Sequence, residues 1–180
     1  MKTYLKCIDI LDQPADALIY SCNVQLNCSG GVGAALMMRY GEQVQHELHD
    51  ILRKQNRKFA DRGEWFQWVT PGLPYRAVFH TVPCDGWYET TREVVALVLR
   101  ECLAECRRLG NIHTVACAAL ATGYGRLPFE EFFRIASSIS QGSMPLQLYL
   151  CVADGPRYSD ACKLIASEQL SIQVWDGGST

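Results

Sequence analysis

A strand buried on both faces that runs into a glycine-rich loop and then a helix leaves few folds open, and this chain writes that order twice. The first copy is the apolar run Ala17-Leu-Ile-Tyr-Ser-Cys22, the loop from Asn23 through Gly30-Gly31-Val32-Gly33, and the helical start Ala34-Ala-Leu-Met-Met38. The second is Asn111 to Leu120, the loop Ala121-Thr-Gly-Tyr-Gly-Arg-Leu-Pro128, and a helix with Phe129, Phe132, Phe133 and Ala136 on one face. One glycine after a strand makes a turn. Three within four positions, opening a helix, make an anion cradle, because a backbone without Cβ atoms points successive N–H groups at one spot beside the positive end of a helix. The nucleotide-triphosphate loop is excluded, since no Lys-Ser or Lys-Thr follows the glycines. The dinucleotide fingerprint is excluded too, because Asn23 to Cys28 separate the glycines from the strand.

Strands alternating with helices predict an α/β protein: a mixed, mostly parallel sheet in a three-layer α/β/α sandwich. The first strand is expected at Thr3 to Ile8 and ends at Asp9. After the first loop, Val44, Leu48, Ile51 and Leu52 keep a helical spacing; His46 and His49 lie three apart on that helix and are expected on its solvated face. Glu64 to Val69 and Tyr75 to Val82 flank the turn Thr70-Pro-Gly-Leu-Pro74 and predict a local antiparallel pair. Thr90-x-x-Glu93 reads as a capping box ahead of a helix with an apolar stripe from Val95 to Leu109, ended by Gly110. Further strands are expected at Leu146 to Val152 and Ser171 to Trp175, around a helix from Arg157 to Ser167. Residues 1–176 are expected to form one domain and 177–180 a flexible tail.

A net charge of -2 argues against general nucleic-acid binding, and no apolar run is long enough to cross a bilayer. Nine cysteines, mostly inside apolar runs and with no secretory leader ahead of them, read as reduced core residues of a cytoplasmic protein. Cys102 and Cys106 share a helical face, but no partner pair at zinc-finger spacing accompanies them, so no metal is expected.

Five segments in register resemble the macrodomain family, the ADP-ribose-binding α/β/α module: Asp9-Ile10 with Asp16-Ala-Leu-Ile19, Asn23-x-x-Leu26, Gly30-Gly-Val32 with Ala35-Leu36, Phe79-His-Thr-Val82, and Ala121-Thr-Gly-Tyr-Gly125. The match spans roughly residues 3–168. The resemblance implies roles for individual residues. Asp9, with Ile10 beside it, would accept a hydrogen bond from the adenine amino group, and Asn23 would hold the distal ribose. Gly30, Gly31, Val32 and Gly33 would wrap one phosphate, with Ser29 also among the ligand-binding residues; Thr122, Gly123, Tyr124 and Gly125 would wrap the other, and Tyr124 would close over the ribose. No cofactor is implied, and the partner would be ADP-ribose or an ADP-ribosylated macromolecule.

The chain departs from the family pattern where hydrolysis is concerned. Members that remove ADP-ribose from acidic side chains often carry Asp where Gly33 stands; the first Asn of the paired-Asn motif is Tyr20, and one loop glycine is Ser29. Binding is therefore the expected function. The alternative is a hydrolase of ADP-ribosyl groups or ADP-ribose esters in which the substrate's own phosphate assists water, with catalytic residues unassigned. A nucleophilic Cys22 or Cys28 paired with His80 is a minor expectation.

Overall fold

The computed structural model describes residues 1–141 and 145–175. Seven strands form one mixed sheet: β1 (Lys2–Lys6), β2 (Ala17–Ser21), β3 (Trp65–Gln67), β4 (Ala77–Thr81), β5 (Thr114–Cys117), β6 (Gln147–Cys151) and β7 (Gln173–Val174), in the order β3-β4-β2-β5-β6-β1-β7. All neighbours are parallel except β3 and β4, which form the expected antiparallel pair with Phe66 opposite His80.

Among the described residues, five α-helices cover the sheet: α1 (Gly31–Tyr40), α2 (Gln43–Lys54), α3 (Arg92–Leu109), α4 (Phe129–Ser140) and α5 (Gly155–Glu168). The period-two alternation of the central strands sorts their side chains between two cores. Ala17 and Ile19 of β2, Phe79 of β4 and Val115 of β5 face Val98, Leu99 and Cys102 of α3 and Phe132 and Phe133 of α4. Leu18 and Tyr20 of β2, Val78 of β4 and Ala116 of β5 face Leu36 of α1 and Val44 and Leu48 of α2. The result is a three-layer α/β/α sandwich. Each fully buried Leu or Phe in these layers contributes roughly 1.5–3 kcal/mol, so the central strands are held from both sides.

Register across the middle of the sheet is fixed by one carboxylate. Asp16 Oδ2 accepts from the amides of His113 and Thr114 at 2.9 and 3.0 Å and from the Thr114 hydroxyl at 3.0 Å. This ties the start of β2 to the start of β5, and β5 ends at Cys117 opposite Ile19, two residues before β2 ends at Ser21.

Several local expectations are corrected. β1 stops at Lys6, leaving Cys7 exposed, and the segment after Asp9 forms a 3-10 turn over Ile10–Asp12. The capping box does not form: Thr91 is the N-cap of α3, accepting from the Val94 amide at 3.4 Å, while the Thr90 hydroxyl donates to the Pro83 carbonyl at 2.5 Å. That second bond draws Thr90 into the loop after β4 and starts the helix one residue later. Gly110 ends α3 in the left-handed conformation, φ +73°, as its position implied. α5 begins at Gly155, two residues ahead of the expected start, because Asp154 caps it by accepting from the Arg157 amide at 2.8 Å. The expected flexible tail lies outside the described residues.

Candidate functional site

The two glycine-rich loops open from adjacent strands, β2 and β5, at the carboxyl edge of the sheet. Between them lies a cavity of about 540 Å³. Loop one contributes Asn23, Ser29, Gly30, Gly31 and Val32 to its wall, and loop two contributes Thr122, Gly123, Tyr124 and Gly125. The loops touch across it: a Cβ on Gly30 would stand 2.8 Å from the Tyr124 ring. Ser21 at the end of β2 accepts from the Ala121 amide at 3.2 Å and so anchors the second loop to the strand that feeds the first.

The electrostatics of the loop region come from main-chain amides. Helix α1 starts without a side-chain cap, so the amides of its first turn, at Gly31 to Gly33, have no side-chain acceptor beside them. Gly31 sits at φ +53°, a conformation that costs an L side chain roughly 1–2 kcal/mol and turns the chain into the helix next to the cavity. No lysine or arginine belongs to either loop's share of the wall. An anion seated here would be held by amides and the helix dipole.

Asp9, Ile10 and Gly33 fall outside the wall, and Asn23 lies in it. Asp9 Oδ1 accepts from the Leu11 amide at 2.9 Å and starts the 3-10 turn. Burial pushes the thiol of Cys151, a wall residue, up to about 12 against the Lys6 charge, and the Asp9 charge only adds to this rise. Asn23 lines the wall, but its Oδ1 accepts from the amides of Gln25 and Asn27 at 3.1 and 2.9 Å, so this oxygen shapes the loop. Its Nδ2 reaches Ser29 Oγ at 3.4 Å. Gly33 lies beneath the wall: a Cβ there would be 3.2 Å from Cys28 Cα and 3.5 Å from Tyr20 Cε2. The two departures at positions 20 and 33 are therefore one packing arrangement, in which the Tyr20 ring fills the space that a longer residue at 33 would enter.

The cysteine nucleophile has no support in the geometry. His80 Nδ1 lies 2.6 Å from the Tyr20 hydroxyl, and Nε2 lies 3.1 Å from the Trp68 carbonyl oxygen. Only one assignment satisfies both: Nε2–H donates to Trp68, and Nδ1 accepts from Tyr20. Burial pushes the Cys22 thiol up to about 12 and Cys28 up to about 11, so neither supplies thiolate at neutral pH. His80 is a satisfied core residue. Its burial lowers its pKa to about 4, with the hydrogen bond to the Trp68 carbonyl acting in the opposite direction. The unfolded chain takes up this proton near pH 6.5. Stability held above pH 6.5 is thus lost as pH falls towards 4, by on the order of 3 kcal/mol. Urea unfolding of His80→Gln should lose that part of the slope between pH 7 and 4.5; a slope equal to wild type would refute the assignment.

His49 also departs from expectation. It is half-buried and its Nε2 bonds Asn27 Oδ1 at 2.8 Å, steadying a cavity residue from helix α2, whereas His46 is exposed. Among the described residues, no group of three or more His, Cys, Asp or Glu is placed to hold a metal ion.

Sequence reasoning missed the two ends of the cavity. Beside loop two stand Cys84, Asp85 and Tyr88; beyond it lie Phe129, Cys151 to Asp154 and Arg157. Tyr88 holds φ +64°, a rare state for a bulky residue, in a turn whose amides at Trp87 and Glu89 both donate to Asp85 Oδ1 at 2.9 Å. The Glu89 amide first, then the Trp87 amide and the Arg62 and Arg126 charges, hold the Asp85 carboxyl below the usual range. Cys151 ends β6 and Val152 to Asp154 follow it, and the rule that ligands gather at strand ends pointed there.

A crevice between two glycine-rich loops at the carboxyl edge of an α/β/α sheet lies where proteins of this architecture take their ligands. The chain belongs to the Macro domain family, whose model matches residues 19–136. A macro domain-containing protein of Streptomyces nogalater is 33% identical over 129 residues, 71% of each chain. A mutant of the Oceanobacillus iheyensis macrodomain with ADPR superposes with a TM-score of 0.79 at 18% identity, covering 92% of each chain. The macrodomain of Mycobacterium tuberculosis DarG superposes with a TM-score of 0.70 at 20% identity, covering 84% of this chain and 97% of that one. Among the described residues, no helix is long and apolar enough to cross a membrane.

Proposed function

We propose that this protein binds ADP-ribose, free or attached to a macromolecule, in the crevice between the two glycine-rich loops. The observation that carries this reading is the uncapped first turn of α1 opening on the cavity opposite Thr122 to Gly125. Paired amide cradles facing one crevice suit a diphosphate, and a cavity of about 540 Å³ falls in the range of small-molecule sites. The neighbour with ADPR is the same kind of fold, which supports the choice of ligand. In this reading the Asn23 amide nitrogen and Ser29 face the distal ribose, and Tyr124 closes over it. Calorimetry with ADP-ribose tests the proposal directly. Saturable binding with one ligand per chain is expected; no heat and no thermal shift at millimolar ligand would reject it.

A hydrolase is the second reading, and it is favoured by one observation: a carboxylate, Asp85, lines the cavity even though Gly33 supplies none. Against it, Asp85 has one oxygen committed to two amides and is held ionised below the usual range, which makes it a weak base. Incubation with mono-ADP-ribosylated protein separates the readings. Binding without release of ADP-ribose is expected, and steady turnover abolished by Asp85→Asn would establish the enzyme.

A further inference from the structure

We infer that the turn after β4, with Trp87 at its tip and Tyr88 beside it, is the docking surface for a polypeptide that carries the ADP-ribose. This rests on the binding proposal above and names the class of partner that the same site takes.

Strand order sets the position. β2 lies between β5 and β4, so the loops after β5, β2 and β4 follow one another along the cavity, and Cys84, Asp85 and Tyr88 of the last one complete its wall. In the binding reading the distal ribose lies at Asn23 and Ser29 of the middle loop. ADP-ribose is joined to a macromolecule through the anomeric carbon of that ribose, so the carrier emerges on the side of the β4 turn.

The turn is held on both glycine-rich loops. Its ends close through the Asp85 amide on the Glu89 carbonyl and the Tyr88 amide on the Asp85 carbonyl, each at 3.0 Å. The Arg126 amide donates to the Tyr88 carbonyl at 3.3 Å and the Arg126 guanidinium pairs with Glu89, which ties the turn to loop two. On the other side, a Cβ at Gly86 would lie 3.9 Å from a Val24 methyl of loop one. Trp87 stands out from this frame, 81% exposed. Among the described residues its indole N–H has no acceptor, whereas Trp65 and Trp68 donate theirs to Glu101 and Glu47 at 2.8 Å. Tyr88 and Tyr124, both exposed, lie with ring centroids 6.0 Å apart.

Three exposed aromatic rings at one mouth of a cavity form a patch of the kind that marks an interaction site. A ring on a fixed turn also loses little freedom when a partner covers it. Tryptophan and tyrosine anchor protein–protein contacts, where the ring packs on aliphatic side chains and the N–H or O–H meets a main-chain carbonyl. Charge favours polypeptide over nucleic acid. The carboxylates Asp85 and Glu89 flank the rings, and the arginines beside them are engaged, Arg62 with Asp85 at 3.7 Å and Arg126 with Glu89. A phosphate backbone would meet paired cations here, on a chain of net charge -2.

The test measures Kd of the whole chain for free ADP-ribose, for a pool of mixed-sequence peptides each bearing one ADP-ribosyl serine, and for an oligonucleotide ADP-ribosylated at its terminal phosphate. Wild type should bind the peptides about tenfold more tightly than free ADP-ribose, the scale of one aromatic anchor, and the oligonucleotide no more tightly than free ADP-ribose. Trp87→Ala keeps the backbone amide that bonds Asp85, so the turn persists. It should lose the peptide gain and hold free ADP-ribose within about twofold. Leu97→Ala, at an exposed position on α3, should leave all three values unchanged. Equal wild-type affinity for peptides and free ADP-ribose would overturn the inference, as would a peptide gain that survives Trp87→Ala, disappears equally in Leu97→Ala, or is matched by the oligonucleotide. Weaker binding of free ADP-ribose by Trp87→Ala would overturn it too, because Trp87 would then touch the ligand and not its carrier. Absence of free ADP-ribose binding by the wild type would instead overturn the binding proposal, and this inference with it.

Discussion

Gly31→Glu is expected to abolish ADP-ribose binding in a chain that still folds. A Cβ at position 31 meets nothing within 4 Å, so the new side chain enters open space beside the cavity without striking the protein. Its cost to folding is the strain of φ +53° in an L residue, roughly 1–2 kcal/mol. Its cost to binding is larger. A carboxylate about 4 Å from a phosphate charge repels it by about 4 kcal/mol at an effective dielectric of 20, or about a thousandfold in affinity. Gly31→Ala carries the strain without the charge and serves as the control. Calorimetry alongside thermal unfolding reads both effects, and wild-type affinity in a folded Gly31→Glu would show that the ligand lies elsewhere.

Gly125→Ala should destabilise the whole protein rather than the site alone. A Cβ there would sit 2.7 Å from the Cys84 sulfur and closer still to the Ala121 carbonyl oxygen, a backbone atom pinned through Ser21. The main chain of loop two must move to admit one methyl group. Overpacking of this kind costs about 2–3 kcal/mol, lowering Tm by about 4–12 °C in a chain of this size. Gly123→Ala in the same loop meets nothing within 4 Å and is expected to stay within about 0.5 kcal/mol of wild type. Urea unfolding of the pair decides the matter: equal stabilities would mean that the close approach at Gly125 is relaxed at no cost.

Much of the candidate site's cavity wall was written in local patterns. The first-loop segment from Ser29 to Val32 and the second-loop segment from Thr122 to Gly125 were identifiable because glycines after a buried strand carry their meaning in residue type and spacing. Asn23 was legible as a wall residue, yet the task of its oxygen, holding the turn, belongs to the geometry of residues 25 and 27. Asp9 shows the opposite failure. Its place after β1 was visible, but whether its carboxylate reaches the cavity depends on a 3-10 turn that no local pattern announced. His49 was assigned to a solvated face by its neighbours in sequence, and a loop twenty-two positions earlier supplied Asn27 as its partner.

Periodicity and glycine spacing, which act within a dozen residues, thus settled the α/β class, the alternation of strands and helices, the antiparallel β3–β4 pair and the existence of two amide-rich loops. What the tertiary structure alone decided is contact between distant segments: the Tyr20 ring beneath Gly33, His80 bonded to Tyr20 instead of a thiol, and Arg157 laid over Phe129. The division has a physical cause. Backbone preference and amphipathic period are properties of the local chain, whereas stacking, burial and hydrogen-bond choice depend on which side chains the sheet order brings within a few ångströms of one another.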